Sequence, residues 1–250
     1  MARNKTTNRR RHGKAAPATD PSAALTGLEL EARRSERLKT VEVLKQGRTP
    51  LVVLDLADHT IQLAEAALGK ATAISPPPLL ACREGCDWCC YMRVGTSAAE
   101  VLRIAAYLRQ TQSAEQLQAT RDRVAQLADR RRELKSNQRA DSRLPCALLV
   151  DHRCSVYPVR PLTCRGCNST DAQRCEQFVQ QPDRVVVPDY KPQLRLSTFV
   201  LDGLRAGLAE AKLQGDLLEL TAALRIALEV PDAAERWLAG EPVFAGARLP

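Results

Sequence analysis

The sequence predicts a mainly α protein in which helices frame an irregular, cysteine-rich metal-binding core with little strand. Three observations carry that expectation. Apolar residues recur at helical spacing towards both ends of the chain, a middle stretch rich in Pro, Asp, Gly and Cys lacks that periodicity, and nine cysteines lie between residues 82 and 175. At 250 residues the chain buries a core without needing disulfides. No internal repeat is visible, and no alternation of strands and helices suggests a Rossmann fold or an α/β barrel.

Residues 1–20 read as a disordered basic tail. Arg3, Lys5, Arg9, Arg10, Arg11 and Lys14 precede the first acid, Asp20, and so supply six of the net +8 charges, which leaves the body nearly balanced. The Thr, Asn and Pro content fits a solvated arm. Its functional alternative is weak, nonspecific nucleic-acid contact through counterion release. The tail has no apolar signal-peptide centre, and no later run reaches the roughly 18 apolar residues of a membrane span. A cytoplasmic location with no membrane partner is the expectation.

Residues 21–75 predict an N-terminal helical hairpin. Leu28, Leu30, Ala32, Leu38, Val41 and Leu44 recur at loose helical spacing until Gly47 and Pro50. A second helix is expected from Val52 or Leu54 to Leu68, with Gly69 near its end and Pro76, Pro77 and Pro78 stiffening the exit. Residues 76–190 are read as the cysteine-cluster metal-binding domain. Within it, Ser97 with Glu100 and Ser113 with Gln116 have capping-box spacing and open two further helices. The stretch DRRRELK, Asp129–Lys135, admits an anion patch or, more simply, a solvated helix face. From Asn137 to Pro192, loops and short strands fixed by ligands are expected. Residues 191–250 read as a C-terminal helical segment packed on that domain. Leu196–Val230 there forms two helices parted near Gly215 and stopped by Pro231.

Reduced cytosolic thiols in clusters point to metal or redox chemistry, and an odd total argues against a plain disulfide framework. The first group is C-x3-C-x2-C-C: Cys82, Cys86, Cys89 and Cys90. The second comprises Cys146, Cys154, Cys164, Cys167 and Cys175. Spacings of two or three residues let two thiolates turn towards one ion. Adjacent Cys89 and Cys90 are harder to place on one ion, because consecutive side chains diverge in extended backbone. Thiolates are soft donors, so zinc, an iron–sulfur cluster or copper(I) fits, and magnesium and calcium do not. Arg83, Arg153, Arg160 and Arg165 are candidates to offset the thiolate charge.

The order Cys82-x3-Cys86-x2-Cys89-Cys90, Pro145-Cys146, then Cys154 with Tyr157, Arg160, Pro161, Cys164 and Arg165 resembles the YkgJ-type cysteine-cluster family, described as zinc- or iron-chelating. The resemblance implies eight metal-ligating cysteines: Cys82, Cys86, Cys89, Cys90, Cys146, Cys154, Cys164 and Cys175. It leaves Cys167 as an extra thiol. It makes Tyr157, Arg160 and Pro161 supports of the centre, with Arg165 a candidate to bond a sulfur or a carboxylate. A flagellin lysine methylase resembles this family in its cysteine region, which implies an iron–sulfur enzyme, electron-transferring or protein-modifying, as one alternative.

A zinc-stapled adaptor contacting protein or nucleic acid is the other. The C-x3-C-x2-C spacing is similar to that of radical S-adenosylmethionine enzymes, but the helical remainder lacks their barrel. Cys86–Cys89 and Cys164–Cys167 have thiol-oxidoreductase spacing without the βαβ pattern around them. His152, two residues before Cys154, is a candidate ligand whose plainer reading is a surface residue. The residues name no catalytic group, substrate or partner protein.

Overall fold

The computed structural model describes residues 20–134, 143–181 and 184–249. The basic tail up to Pro17 and Thr19, and with it the nucleic-acid reading, lies outside the described residues. The fold is mainly α with very little strand. Among the described residues no helix is long and apolar enough to cross a membrane.

Helix α1 (Pro21–Gln46) begins where the Asp20 carboxylate accepts the Ser22 N–H. Helix α2 (Pro50–Ile74) begins earlier and ends later than the sequence suggests. Pro50 occupies its first turn, where a missing N–H costs nothing, and Thr49 caps it by accepting from Val52 N–H. Gly69 does not stop it, because one helical glycine costs only about 1 kcal/mol and Ala67 and Ala71 on the same face are buried.

Helices α3 (Ala98–Thr111) and α4 (Ala114–Glu133) both open with complete capping boxes, Ser97 with Glu100 and Ser113 with Gln116. The cysteine region holds two short helices that the sequence does not announce, α5 (Leu162–Gly166) and α6 (Ala172–Gln180). Neither shows a buried apolar periodicity long enough to read; α6 buries no residue fully. Helices α7 (Lys191–Glu210), α8 (Leu220–Glu229) and α9 (Ala233–Leu238) complete the frame, the last beyond the expected stop at Pro231.

Strand is confined to two antiparallel pairs of two residues each. β1 (Gly95–Thr96) pairs with β4 (Leu218–Glu219), and β2 (Leu149–Val150) pairs with β3 (Arg153–Cys154). The main core joins α3, α4, α8 and parts of α2 and α7 around Ile104, Leu108, Leu204 and Leu224, and Cys146, Cys154 and Cys164 pack against it. A second cluster lies between α1, α2 and α7. There α1 and α7 approach so closely that a Cβ on Gly203 would lie 2.4 Å from Arg33 O, and one on Gly207 2.5 Å from Thr40 Cβ. Only glycine fits at either position.

One buried carboxylate ties the frame to the cysteine region. Glu100 Oε2 accepts from Ser97 N–H (2.8 Å), Ser97 Oγ (2.9 Å) and Thr96 Oγ1 (3.1 Å). Its Oε1 accepts the Leu162 N–H at 2.7 Å. Thr163 Oγ1 adds a 2.6 Å bond to Gly95 O, so α5 is pinned to the start of α3.

Candidate metal centre

The first cysteine group is shaped by two tight turns. Three residues separate Cys82 from Cys86, and Gly85 closes that loop at φ +81°, a conformation L side chains resist, while Cys86 N–H bonds Arg83 O at 3.1 Å. Trp88–Tyr91 then forms a 3-10 turn, with Cys90 N–H on Asp87 O at 2.8 Å. Cys89 and Cys90 therefore lie in a 3-10 turn and not in the extended backbone considered from the sequence.

The second group is brought onto the first by backbone bonds. Ala81 N–H bonds Ser169 O (2.8 Å) and Cys146 N–H bonds Cys90 O (2.9 Å). Cys154 lies in β3, after a hairpin turn in which Asp151 (φ 48°) and His152 (φ 59°) are both left-handed. Cys164 sits within α5, and Cys167 caps its end with an N–H bond to Thr163 O at 3.2 Å. Cys175 is in the first turn of α6, whose N-cap Asp171 accepts from Arg174 N–H.

These pieces enclose a cavity of about 490 Å³ whose wall includes Cys86, Cys89, Cys90, Cys146, Cys154, Cys164 and Cys167. Cys82 and Cys175 stand just beside it, as electrostatic neighbours of Cys86, Cys89 and each other. Cys167, set apart by the family resemblance, is thus on the wall, whereas two of the eight implied ligands are not. Among the described residues no three His, Cys, Asp or Glu donors already converge on one point at bonding distance.

Thiol acidity divides the set. Cys89 is drawn down to about 7, chiefly by the hydrogen bond from Cys90 and against its own burial. Cys90, the donor of that bond, is pushed up for the same reason. Burial raises Cys146 to about 11, Cys167 to about 12, and Cys164 well above its ordinary value. Burial also raises Cys82, Cys154 and Cys175. Cys89 is thus the readiest of these thiols to ionise, and a bound cation would draw protons from those that burial raises.

Arg83, Arg93, Arg153 and Arg160 all line the wall, and Arg160 is the one that acts on the most thiols. It stacks 3.9 Å over the Tyr157 ring and favours the thiolates of Cys89, Cys154 and Cys167. Arg165 turns away from sulfur: its Nε bonds Arg160 O (3.1 Å), Nη1 pairs with Glu65 (2.8 Å), and Nη2 bonds Pro158 O. It holds Arg160, which lines the cavity. Arg153 pairs with exposed Glu84 at 3.3 Å. His152 also lines the cavity; its Nδ1 lies 2.8 Å from buried Asp87 Oδ2, which fixes the ring and leaves Nε2 at the rim. Sequence reasoning missed Asp87 in this role, because a carboxylate 65 residues from its histidine carries no local signal.

No curated protein and no solved structure matches the chain. Residues 81–184, the stretch that builds this cavity, match the family model CxxCxxCC, described as "Putative zinc- or iron-chelating domain", which is the cysteine-cluster family that the spacing resembles.

Proposed function

We propose that this protein binds zinc or an iron–sulfur cluster through Cys82, Cys86, Cys89, Cys90, Cys146, Cys154, Cys164 and Cys175, with Cys167 as a ninth thiolate of the same centre. The observation that carries the reading is one cavity walled by seven cysteines from both sequence groups, with Arg160 beside them. So many soft donors suit zinc or iron, and a bound cation would supply the charge that lets the buried thiols ionise together. Cys89, already the most acidic, is the first to offer a thiolate. Cys167 lines the same cavity and is an electrostatic neighbour of Cys82, Cys89 and Cys175, which supports its inclusion.

Anaerobic purification with metal analysis and a visible spectrum tests the reading. Stoichiometric zinc in a colourless protein, or iron with sulfide in a brown one, supports it and decides the metal. Protein that folds yet takes up neither metal on reconstitution overturns it. Cys167→Ser is expected to lower the bound metal or change its spectrum. Unchanged stoichiometry and spectrum would return Cys167 to the role of bystander.

A cytoplasmic setting, where thiols stay reduced, belongs to the same proposal. The cavity mouth beside His152 favours an iron–sulfur enzyme over a closed zinc staple as the second reading, since a catalytic centre keeps one side open.

A further inference from the structure

A second cavity, of about 440 Å³, opens between α4, α8 and the turn Ala245–Ala247. Its wall carries five guanidinium groups, from Arg93, Arg131, Arg132, Arg225 and Arg248, against two carboxylates, Glu219 and Glu229. The described part of the DRRRELK stretch, Asp129–Leu134, therefore does not form a uniform solvated face: Arg130 and Arg132 are exposed, but the Arg131 side chain is only 11% exposed and turns inward.

Four of the five arginines have acidic partners. Arg131 is paired with Glu219, Arg225 with Asp129 (2.7 Å) and Glu229 (3.0 Å), Arg132 with Asp129 (3.4 Å), and Arg248 with Asp216 (2.9 Å). Arg93 has no hydrogen-bond or ion-pair partner among the described residues. Arg131 Nε is buried and likewise without a partner among them. A cavity that keeps an unmatched guanidinium and an orphaned buried N–H presents two donors for an acceptor that the protein does not supply. Ala222, Ile226 and Val230 give the same cavity an apolar side.

We infer that this cavity binds a small organic oxyanion, a phosphate or carboxylate on an apolar body, with the charged end at Arg93 and Arg131 and the body against Ile226 and Val230. Arginine forks match such groups in pairs of parallel bonds. The volume falls within the range of ordinary small-ligand sites, roughly 300–1,000 Å³. Arg93 also lines the cysteine cavity, so an anion held here lies one side chain away from the candidate metal centre. The inference does not depend on that centre being loaded.

The test is calorimetric titration of the full chain with phenyl phosphate and, separately, with benzoate, at constant chloride ionic strength. The chains compared are wild type, Arg93→Gln, Arg248→Gln and, as a distant control, Arg34→Gln on exposed α1. Saturable binding by wild type is expected with at least one probe. Arg93→Gln should weaken it tenfold or more, Arg248→Gln less, and Arg34→Gln not at all. The stronger of the two probes identifies the oxyanion class. Arg93 has no partner to lose among the described residues, so its variant should keep the wild-type melting temperature without anion, and Arg248→Gln reads another part of the wall if it does not. Absence of saturable binding to both probes, or equal weakening by Arg34→Gln and Arg93→Gln, would overturn the inference.

Discussion

Helix α3 and the cysteine segments on either side of it are held by different forces. In α3, Ala98, Ala99, Val101, Ile104, Ala105 and Leu108 have no exposed surface at all, and the helix is locked at its start by a complete capping box. The Trp88–Tyr91 turn and α6 bury no residue fully, and their positions rest on single backbone bonds such as Cys146 N–H to Cys90 O. Apolar burial stabilises by area and does not need a partner from outside the chain. A segment of short turns carrying thiols gains its stability from what the thiols hold.

The contrast is broken most severely by stripping the metal. Structural zinc contributes on the order of 10–16 kcal/mol in small zinc domains. Chelation of the loaded protein is therefore expected to abolish amide-exchange protection in the Trp88–Tyr91 turn and α6, while α3, α7 and α8 stay protected. Mass-spectrometric hydrogen exchange reads this by segment, and equal loss in both regions would show that they fold as one unit. The converse cut lies in the frame: Leu204→Ala, at a side chain with no exposed surface, should cost about 2–5 kcal/mol in denaturant unfolding. It should leave metal stoichiometry unchanged in the fraction that remains folded.

A smaller effect, confined to one pH range, comes from Glu36. Buried between α1 and α2, its carboxyl accepts from Thr60 (2.7 Å) and Thr40 (3.3 Å), and burial raises it from 4.5 to about 7. Between those values the native state binds more protons than the unfolded chain, so stability falls as pH rises from about 4.5 through about 7. The ionised group then costs at most about 3 kcal/mol. Glu36→Gln should be more stable than wild type above pH 7, by up to that amount, and the gain should vanish below pH 4.5. Thermal melts across that range check the sign; a gain that grows towards acid would refute the assignment.

How much could be read in advance depended on whether the cause was local. The Ser97–Glu100 and Ser113–Gln116 boxes act within one turn, and their spacing alone located two helix starts. The end of α2 lies beyond Gly69 because burial of Ala71, a tertiary effect, outweighs a modest propensity penalty. Helices α5 and α6 are too short for a 3.6-residue period to accumulate. The cysteines declared metal chemistry through composition and order, but the placement of Cys167 on the wall and of Cys82 and Cys175 beside it depends on the 3-10 turn and on α5. The arginine cavity was half legible: the charge run was visible in α4, while the inward turn of Arg131 and the approach of Arg93 are set by packing between α4 and α8.

Glu100 makes one side chain the hinge pin between two kinds of structure. Three of its four bonds are to Thr96 and Ser97 beside it, and the fourth reaches Leu162, 62 residues on. Losing that carboxylate would therefore release a helix start and the seat of Cys164 together, although Glu100 touches no sulfur.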